Sequence, residues 1–371
     1  GPGRFKEIGD QCNKFGIKNP LIVTDKGSTE LYFIKELKEL LLKANIQSDL
    51  FFEISPNPRE DEVSAGCKKY KSGNHDAIIA IGGGSAMDGG KLICLTANND
   101  IPLRDFEFEL TPPKISKDNP FPKIITIPTT AGTGAETEIT AMVTYLEEGM
   151  KFCMWHPDAR PVLALVDPEL TLKLPASLTA WTGVDALVHA IEGYCVPGFH
   201  PLCDGSAIES LSLISKSLYQ AVEEPNNLVA RGGMHVGSYL GGIAFLKGLG
   251  LVHAISHMVG AEFNTQHGLT NAIILPVVLK YNLSGMDEKV KRMSEAMQFE
   301  NHSVDAFISN IEKMLDRLNI PKSLSEIGVP EDCFERIAKK AMKDQAYATN
   351  PKIATLEEVK EMTLASIKKA R

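Results

Sequence analysis

The sequence lacks most of the features that would take it out of the ordinary globular classes. No apolar run approaches the ~20 residues that span a bilayer, and the opening GPGRFKEIGD carries no signal-peptide hydrophobic core. Internal repeats and low-complexity tracts are absent, which removes solenoids and flexible linkers. The seven cysteines (12, 67, 94, 153, 195, 203, 333) are odd in number and form no Cys-x-x-Cys, so neither a disulfide framework nor a thiolate metal site is expected. Positive charge is also short. The 39 Lys and Arg against 47 Asp and Glu leave a net charge of −8, a surface that repels nucleic acid and anionic lipid. These absences predict a cytoplasmic protein with no nucleic-acid and no membrane partner.

What is present fits a chain with a substantial core. Hydrophobic residues make up 43 % and charged residues 23 % of 371 positions, and ~150 residues per domain suggests two domains. Up to about residue 170, short apolar runs alternate with helical patterns. Pro20 to Asp25, Phe51–Phe52, Asp76 to Ile81 and Lys123 to Ile127 read as strands, and Ser28 to Ala44 and Glu60 to Gly73 as helices. Such alternation predicts a mostly parallel sheet with helices on both faces. Beyond Ser177 helical periodicity takes over: Ala207, Leu211, Ile214, Leu218 and Val222 recur every three or four positions. Gly232, Gly233, Gly237, Gly241 and Gly242 crowd the next helical segment, which close helix packing would explain. Thr355 to Glu358 spells a capping box for a last helix. The boundary is placed near 170–178, giving an α/β domain over 1–175 and an all-helical domain over 176–371, with ligands expected in the interdomain cleft.

Two features of the first half point to a nucleotide. Gly82-Gly83-Gly84-Ser85 ends a strand and precedes a helical pattern starting around Asp88, so unpaired N–H groups there suit a pyrophosphate. Asp25 ends the first clear strand, where its carboxylate can accept from a ribose diol and would repel a 2′-phosphate, favouring NAD over NADP. Plain turns are the competing explanation for both. Pro128 to Glu136 adds hydroxyls and flexible backbone after the fourth strand. The order is unlike a Rossmann unit: Asp25 precedes Gly82 by 57 positions, and the glycines do not spell G-x-G-x-x-G.

The second half carries a more specific pattern. Asp185 and His189 stand four apart in an apolar helical stretch, and His253 and His257 repeat that spacing. His267 follows in Gln266-His267-Gly268. A buried aspartate needs a cation or a hydrogen-bonding partner. One carboxylate with two or three imidazoles and no thiolate suits a divalent ion such as iron(II) or zinc(II). Asp185, His189, His253 and His267 are assigned to the metal. His257 is left as a neighbour able to pass protons, the alternative being a core histidine bound to a backbone carbonyl. His75, His156, His200, His235 and His302 read as surface or packing residues.

Together these residues resemble the iron-containing (group III) alcohol dehydrogenase family over nearly the whole chain. The resemblance rests on Val-Thr-Asp-Lys-Gly27, Pro-Asn-Pro58, Gly-Gly-Gly-Ser85 with Asp88 and Lys91, and Pro-Thr-Thr-Ala-Gly-Thr-Gly134. It continues through Asp-Pro-Glu-Leu170, Asp-Ala-Leu-Val-His-Ala-Ile-Glu192, Gly-Leu-Val-His-Ala-Ile-Ser-His257, Gln-His-Gly268 and Asn-Pro351. It implies a dinucleotide-binding α/β domain, a helical domain, and a metal held by Asp185, His189, His253 and His267 in the cleft between them. The family's cofactor contacts fall on Asp25, Asn57, Gly84, Ser85, Thr129, Thr130, Thr133 and Lys151, with Gly83 and Asp88 beside them. Its substrate pocket falls near Thr140, Phe245 and His257. Two departures stand out: Lys247 occupies a position where a small polar residue is common, and Val277 one where histidine is frequent. Lys247 could select a substrate with an anionic group, against the plainer reading of a solvated lysine at a helix end.

The resemblance implies an NAD(H)-linked alcohol dehydrogenase or aldehyde reductase acting on a small-molecule substrate, as a homodimer or larger homo-oligomer. The alternatives are a sister activity of the same fold or a non-catalytic NAD-sensing or oligomer-forming protein. The sister activities are glycerol or polyol oxidation, maleylacetate reduction and hydroxyacid–oxoacid transhydrogenation.

Overall fold

Strands form where the apolar runs are. In the computed structural model, which describes residues 1–371, they are β1 (Pro20–Asp25), β2 (Asp49–Ile54), β3 (Ala77–Gly82), β4 (Lys123–Pro128), β5 (Thr140–Tyr145), β6 (Met150–Trp155) and β7 (Leu163–Ala164). Five of them make one parallel sheet in the order β2-β1-β3-β4-β7. Helices α1 (Ile8–Lys14), α2 (Tyr32–Lys43), α3 (Glu60–Ser72) and α4 (Gly84–Ala97) accompany it. Alternate residues of each central strand enter different cores. Leu21, Val23, Ile78 and Ala80 pack with Val63, Tyr70, Met87 and Leu92, while Ile22, Ala77, Ile79 and Ile81 pack with Ile8, Leu37 and Leu41. A strand buried on both faces needs an unbroken apolar run, which is what these segments are.

Three details differ from expectation. Helix α4 starts at Gly84, four residues before Asp88, because Gly83 is extended and its carbonyl already accepts the Met87 N–H. Helix α2 starts at Tyr32, after a short 3₁₀ turn over Lys26–Ser28. Strands β5 and β6 pair antiparallel as a separate two-stranded sheet that the apolar-run reading passed over.

The helical part follows as α5 (Ala176–Cys195), α6 (Pro201–Glu223), α7 (Leu228–Ala244), α8 (Leu251–Phe263), α9 (His267–Asn282), α10 (Asp287–Ala296), α11 (Val304–Arg317), α12 (Phe334–Ala341), α13 (Gln345–Ala348) and α14 (Leu356–Lys368). Glycines press α7 onto its neighbours: a Cβ on Gly237 would stand 2.8 Å from Ile214, and one on Gly241 3.2 Å from the Ala186 carbonyl. Gly232 faces open space and has no such packing role. The capping box at Thr355 is formed, with Thr355 and Glu358 each accepting the other's N–H.

The chain divides into two units, Gly1–Thr130 with Ala135–Leu172, and Ala131–Gly134 with Lys173–Arg371. No single helix is long and apolar enough to cross a membrane. All seven cysteines are free.

Candidate metal centre and nucleotide cradle

In the first unit the strand order explains the odd sequence order of the nucleotide candidates. Strand β1 lies between β2 and β3, so the chain leaves β1 toward one side and returns on the other. Ligands of open parallel sheets bind at the carboxyl ends of strands where the order reverses in this way. Asp25 ends β1 and Gly82 ends β3, and the pairing of these strands brings the two together across 57 positions of sequence. A Cβ on Gly82 would stand 3.2 Å from Asp25 Oδ2 and 2.7 Å from Ala86 Cβ, and its φ of 145° is one that side chains disfavour. Asp25 Oδ2 accepts from Ser28 Oγ at 2.8 Å, so one oxygen is already used locally.

Gly83 caps α4, which opens on Gly84 and Ser85. Thr130 lies beside Gly83, 3.5 Å from where its Cβ would be, and the Thr129 N–H donates to the Gly82 carbonyl at 2.8 Å. Ser85 Oγ donates to the Pro56 carbonyl, tying the loop to the segment holding buried Asn57. Asp88 faces the other way. It sits 3.7 Å from Lys91, accepts the Met142 N–H, and lies within electrostatic reach of buried Lys151. Burial pushes its carboxyl up from the ordinary value, against the pull of Lys91. Lys91 also donates to the Ala135 and Thr140 carbonyls, and Thr140 Oγ1 donates to Glu138. Ala131–Gly134, which includes Thr133, belongs to the second unit, where Gly132 and Gly134 lie against Thr182 and Gly242.

The metal candidates all lie in the second unit. Asp185 and His189 project one turn apart from α5, His253 from the first turn of α8, and His267 opens α9. Gly268 brings α9 onto α5, since a Cβ there would stand 2.4 Å from the Trp181 carbonyl and 3.1 Å from Asp185 Cβ. Gln266 caps α9 by accepting the Leu269 N–H at 2.6 Å. One donor atom from each of Asp185, His189, His253 and His267 lies within 4.8 Å of the others. Asp185 Oδ1 is 3.8, 4.0 and 3.6 Å from Nε2 of His189, His253 and His267. Around an ion with ligands at ~2.1 Å, tetrahedral donors are about 3.4 Å apart, so the three distances from Asp185 are slightly wider than a tetrahedral ion would draw them.

Donor chemistry agrees with that geometry. Asp185 is 2 % exposed and has no lysine or arginine partner; imidazoles and the Asn271 amide surround it. Burial pushes His189 down to about 4, with Asp185 pulling the other way, so its ring is a neutral donor. His189 stacks on His253 with centroids 4.7 Å apart, and Phe245 meets its edge at 4.8 Å. His267 is the one partly exposed member, so the set is open on that side. These residues fit a divalent cation.

His257 stands next to the set, its ring stacked on His267 at 5.5 Å. Its Nδ1 lies 2.9 Å from the Asp344 carboxylate, not against a backbone carbonyl, which overturns the plainer reading of this residue. Lys247 is not solvated either. Its amine pairs with Asp204 and reaches the Tyr194 carbonyl, and its side chain is 5 % exposed. Among the other histidines, His75, His156 and His302 each bond a backbone carbonyl, and His200 caps α6.

Three participants were not singled out from the sequence. Glu192, Asn271 and Asp344 each hold one or more of the histidines. Only Glu192 left a trace, at the helical spacing Asp185, His189, Glu192.

Comparison with known proteins gives a consistent picture. The profile of the iron-containing alcohol dehydrogenase family matches residues 1–168, and that of the C-terminal part of the same family matches residues 179–367. The chain is 35 % identical over 370 residues to the NAD-dependent methanol dehydrogenase of Bacillus methanolicus, covering 98 % of this chain and 96 % of that protein. It is 34 % identical over 369 residues to the 1,3-propanediol dehydrogenase of Klebsiella pneumoniae, covering 97 % and 94 %. Among solved structures, a 1,3-propanediol oxidoreductase superposes with a TM-score of 0.93 at 33 % identity, covering 99 % of this chain and 97 % of that one.

Proposed function

The chain belongs to the iron-containing alcohol dehydrogenase family, and from that premise we propose that it catalyses reversible hydride transfer between a short alcohol or aldehyde and a nicotinamide cofactor. The observation that carries the reading is the convergence of Asp185, His189, His253 and His267, the first three buried and His267 partly exposed, with no lysine or arginine among them. Methanol and 1,3-propanediol, named for the relatives, set the size of substrate to test first.

When bound, a divalent ion supplies Lewis acidity to the alcohol or carbonyl oxygen, and nicotinamide exchanges the hydride. The protein's own groups do the rest. Asp185, His189, His253 and His267 hold the ion, iron(II) being the first candidate and zinc(II) the second, since both accept this donor set. Gly83, Gly84 and Ser85 present the N–H groups of α4 to a pyrophosphate. Asp25, its Oδ1 free of the Ser28 bond, is placed to take a ribose hydroxyl and to disfavour a 2′-phosphate. Asn57, Thr129, Thr130, Thr133 and Lys151 complete the cofactor contacts in this reading, while Asp88, engaged with Lys91 and the Met142 N–H, lies beside them. Thr140, Phe245 and Lys247 border the substrate in this reading, although the commitment of Lys247 to Asp204 leaves it little charge to offer.

His257 moves the proton. Asp344 holds hydrogen on Nδ1, which leaves Nε2 as the atom that accepts or returns a proton during turnover. The free cysteines support a reducing, cytoplasmic setting. Exposed Phe199, Leu202 and Val229 support burial against another subunit in a homo-oligomer.

The test is metal reconstitution with Fe(II) or Zn(II), followed by NADH- and NADPH-linked reduction of short aldehydes, in wild type and His267→Ala. The expected result is metal-dependent NADH oxidation that His267→Ala loses together with bound metal. Retention of both metal and full activity in that variant would overturn the ligand assignment.

A further inference from the structure

Glu192 follows Asp185 by seven residues and His189 by three on α5, so helical geometry sets all three along one side. It is 4 % exposed and has no lysine or arginine partner. Its Oε2 faces His253 Nδ1 at 2.7 Å and accepts the Gly250 N–H at 3.1 Å, while Oε1 accepts the Val252 N–H at 2.8 Å. Asn350 Oδ1 takes the Leu251 N–H between them at 3.0 Å, so the three consecutive N–H groups of Gly250, Leu251 and Val252 that open α8 are all used. Gly250 makes this approach possible, because a Cβ there would stand 2.7 Å from Glu192 Oε1 and 2.8 Å from Asn350 Oδ1.

A carboxylate only accepts, so the hydrogen between Glu192 and His253 must sit on Nδ1. The far side of the same ring leads independently to the same tautomer. Asn271 Nδ2 is 3.1 Å from His253 Nε2, 3.1 Å from His267 Nε2 and 2.7 Å from Asp185 Oδ1. The Asp185 carboxylate fixes which end of that amide faces the site, since the amide oxygen would be repelled there. The amide has two hydrogens for these three atoms and its nitrogen never accepts, so a hydrogen on His253 Nε2 would face no acceptor there, which favours the bare Nε2.

We infer that Glu192 is a positioning residue for the metal: it locks His253 as the Nδ1–H tautomer, aims the bare Nε2 at the ion and raises that nitrogen's basicity. The same carboxylate caps α8, so one α5 side chain sets both the helix that carries His253 and the protonation of its ring. The inference rests on the metal reading above and adds to it a residue that touches neither metal nor substrate.

The test uses the full chain and zinc. Competition against a chromophoric chelator measures Zn(II) affinity in wild type, His267→Ala and Glu192→Gln, and metal-free melting is recorded beside it. Loss of the carboxylate charge is expected to weaken Zn(II) binding about 10- to 100-fold whichever way the amide turns. A purely structural role would lower metal-free melting and leave the zinc affinity of folded protein unchanged, and that result overturns the inference alone. If wild type binds no zinc or iron, the metal reading fails and takes this inference with it. Should Glu192→Gln not fold, wild type still decides. In metal-free protein labelled with ¹⁵N-histidine, the His253 signals, identified by their loss in His253→Gln, must show a protonated Nδ1 and a bare Nε2. A protonated Nε2 overturns the inference.

Discussion

Replacing Asp344 by Asn isolates the proton step from the fold around it. Asp344 does two jobs with two oxygens: Oδ1 caps α13 by accepting the Ala346 N–H at 2.8 Å, and Oδ2 faces His257 Nδ1 at 2.9 Å. Both residues are buried, at 6 % and 5 % exposure, so water cannot substitute readily. Asparagine is an equally good cap and keeps the first bond. At the second it puts an NH₂ donor against Nδ1, which moves the imidazole hydrogen to Nε2 and removes the acceptor that alcohol oxidation needs. A well-placed general base contributes about 10²- to 10⁴-fold, so single-turnover hydride transfer should fall at least about 100-fold in Asp344→Asn. Metal content and NADH affinity should hold, and the lost charge-assisted bond should cost about 1.5–3 kcal/mol of stability. The assay is rapid mixing of NAD-loaded enzyme with alcohol, followed by NADH fluorescence, so that product release does not mask chemistry. If folded Asp344→Asn transfers hydride within about threefold of wild type, under 1 kcal/mol of barrier, His257 is not the proton carrier.

The other expectations concern charge buried in each unit. Burial pushes the Glu138 carboxyl from 4.5 up to about 8 and Glu136 up to about 7, with Lys91 pulling both down. The folded state then binds protons that the unfolded state has released, so stability falls as pH rises from about 4.5 toward 8. Glu138→Gln should flatten that decline in thermal melting and raise stability at pH 8 by on the order of a few kcal/mol; parallel melting curves for variant and wild type would refute it. Lys247→Ala leaves the Asp204 carboxylate, 25 % exposed, without its cation, and should cost about 1–3 kcal/mol of stability. Its relative turnover of neutral and acidic aldehydes of equal length should not change, and a selective loss of the acidic one would restore Lys247 as an anion receptor.

What the sequence made legible was local. Unbroken apolar runs betray strands buried on both faces, and Pro20 to Asp25 and Asp76 to Ile81 coincide with β1 and β3 to within a residue. The β5–β6 hairpin was missed because Thr140 to Tyr145 is not uniformly apolar, although Gly149, with φ of 56°, marks the turn side of the following strand. Helical periodicity paired Asp185 with His189 because four residues is one turn. No local rule could reach Glu192 from His253, 61 residues away, or Asp344 from His257, 87 away. Those partners exist only once α5, α8 and the turn before α13 have packed.

Ionisable residues show the same limit from the side of charge. By residue type alone, Lys247 and Asp185 are equally available to a ligand. The fold separates them by what neutralises each. Lys247 is matched to Asp204 from 43 residues away and is left with no charge to spend on a substrate. Asp185 is buried among three imidazoles and an amide, with no lysine or arginine against it. An aspartate that folding strips of water and leaves without a cation is unfavourable by itself. Its persistence beside three Nε2 lone pairs is therefore what sets this cluster apart from Glu192 and Asp344. Those two are just as buried, but backbone N–H groups and a histidine already satisfy them.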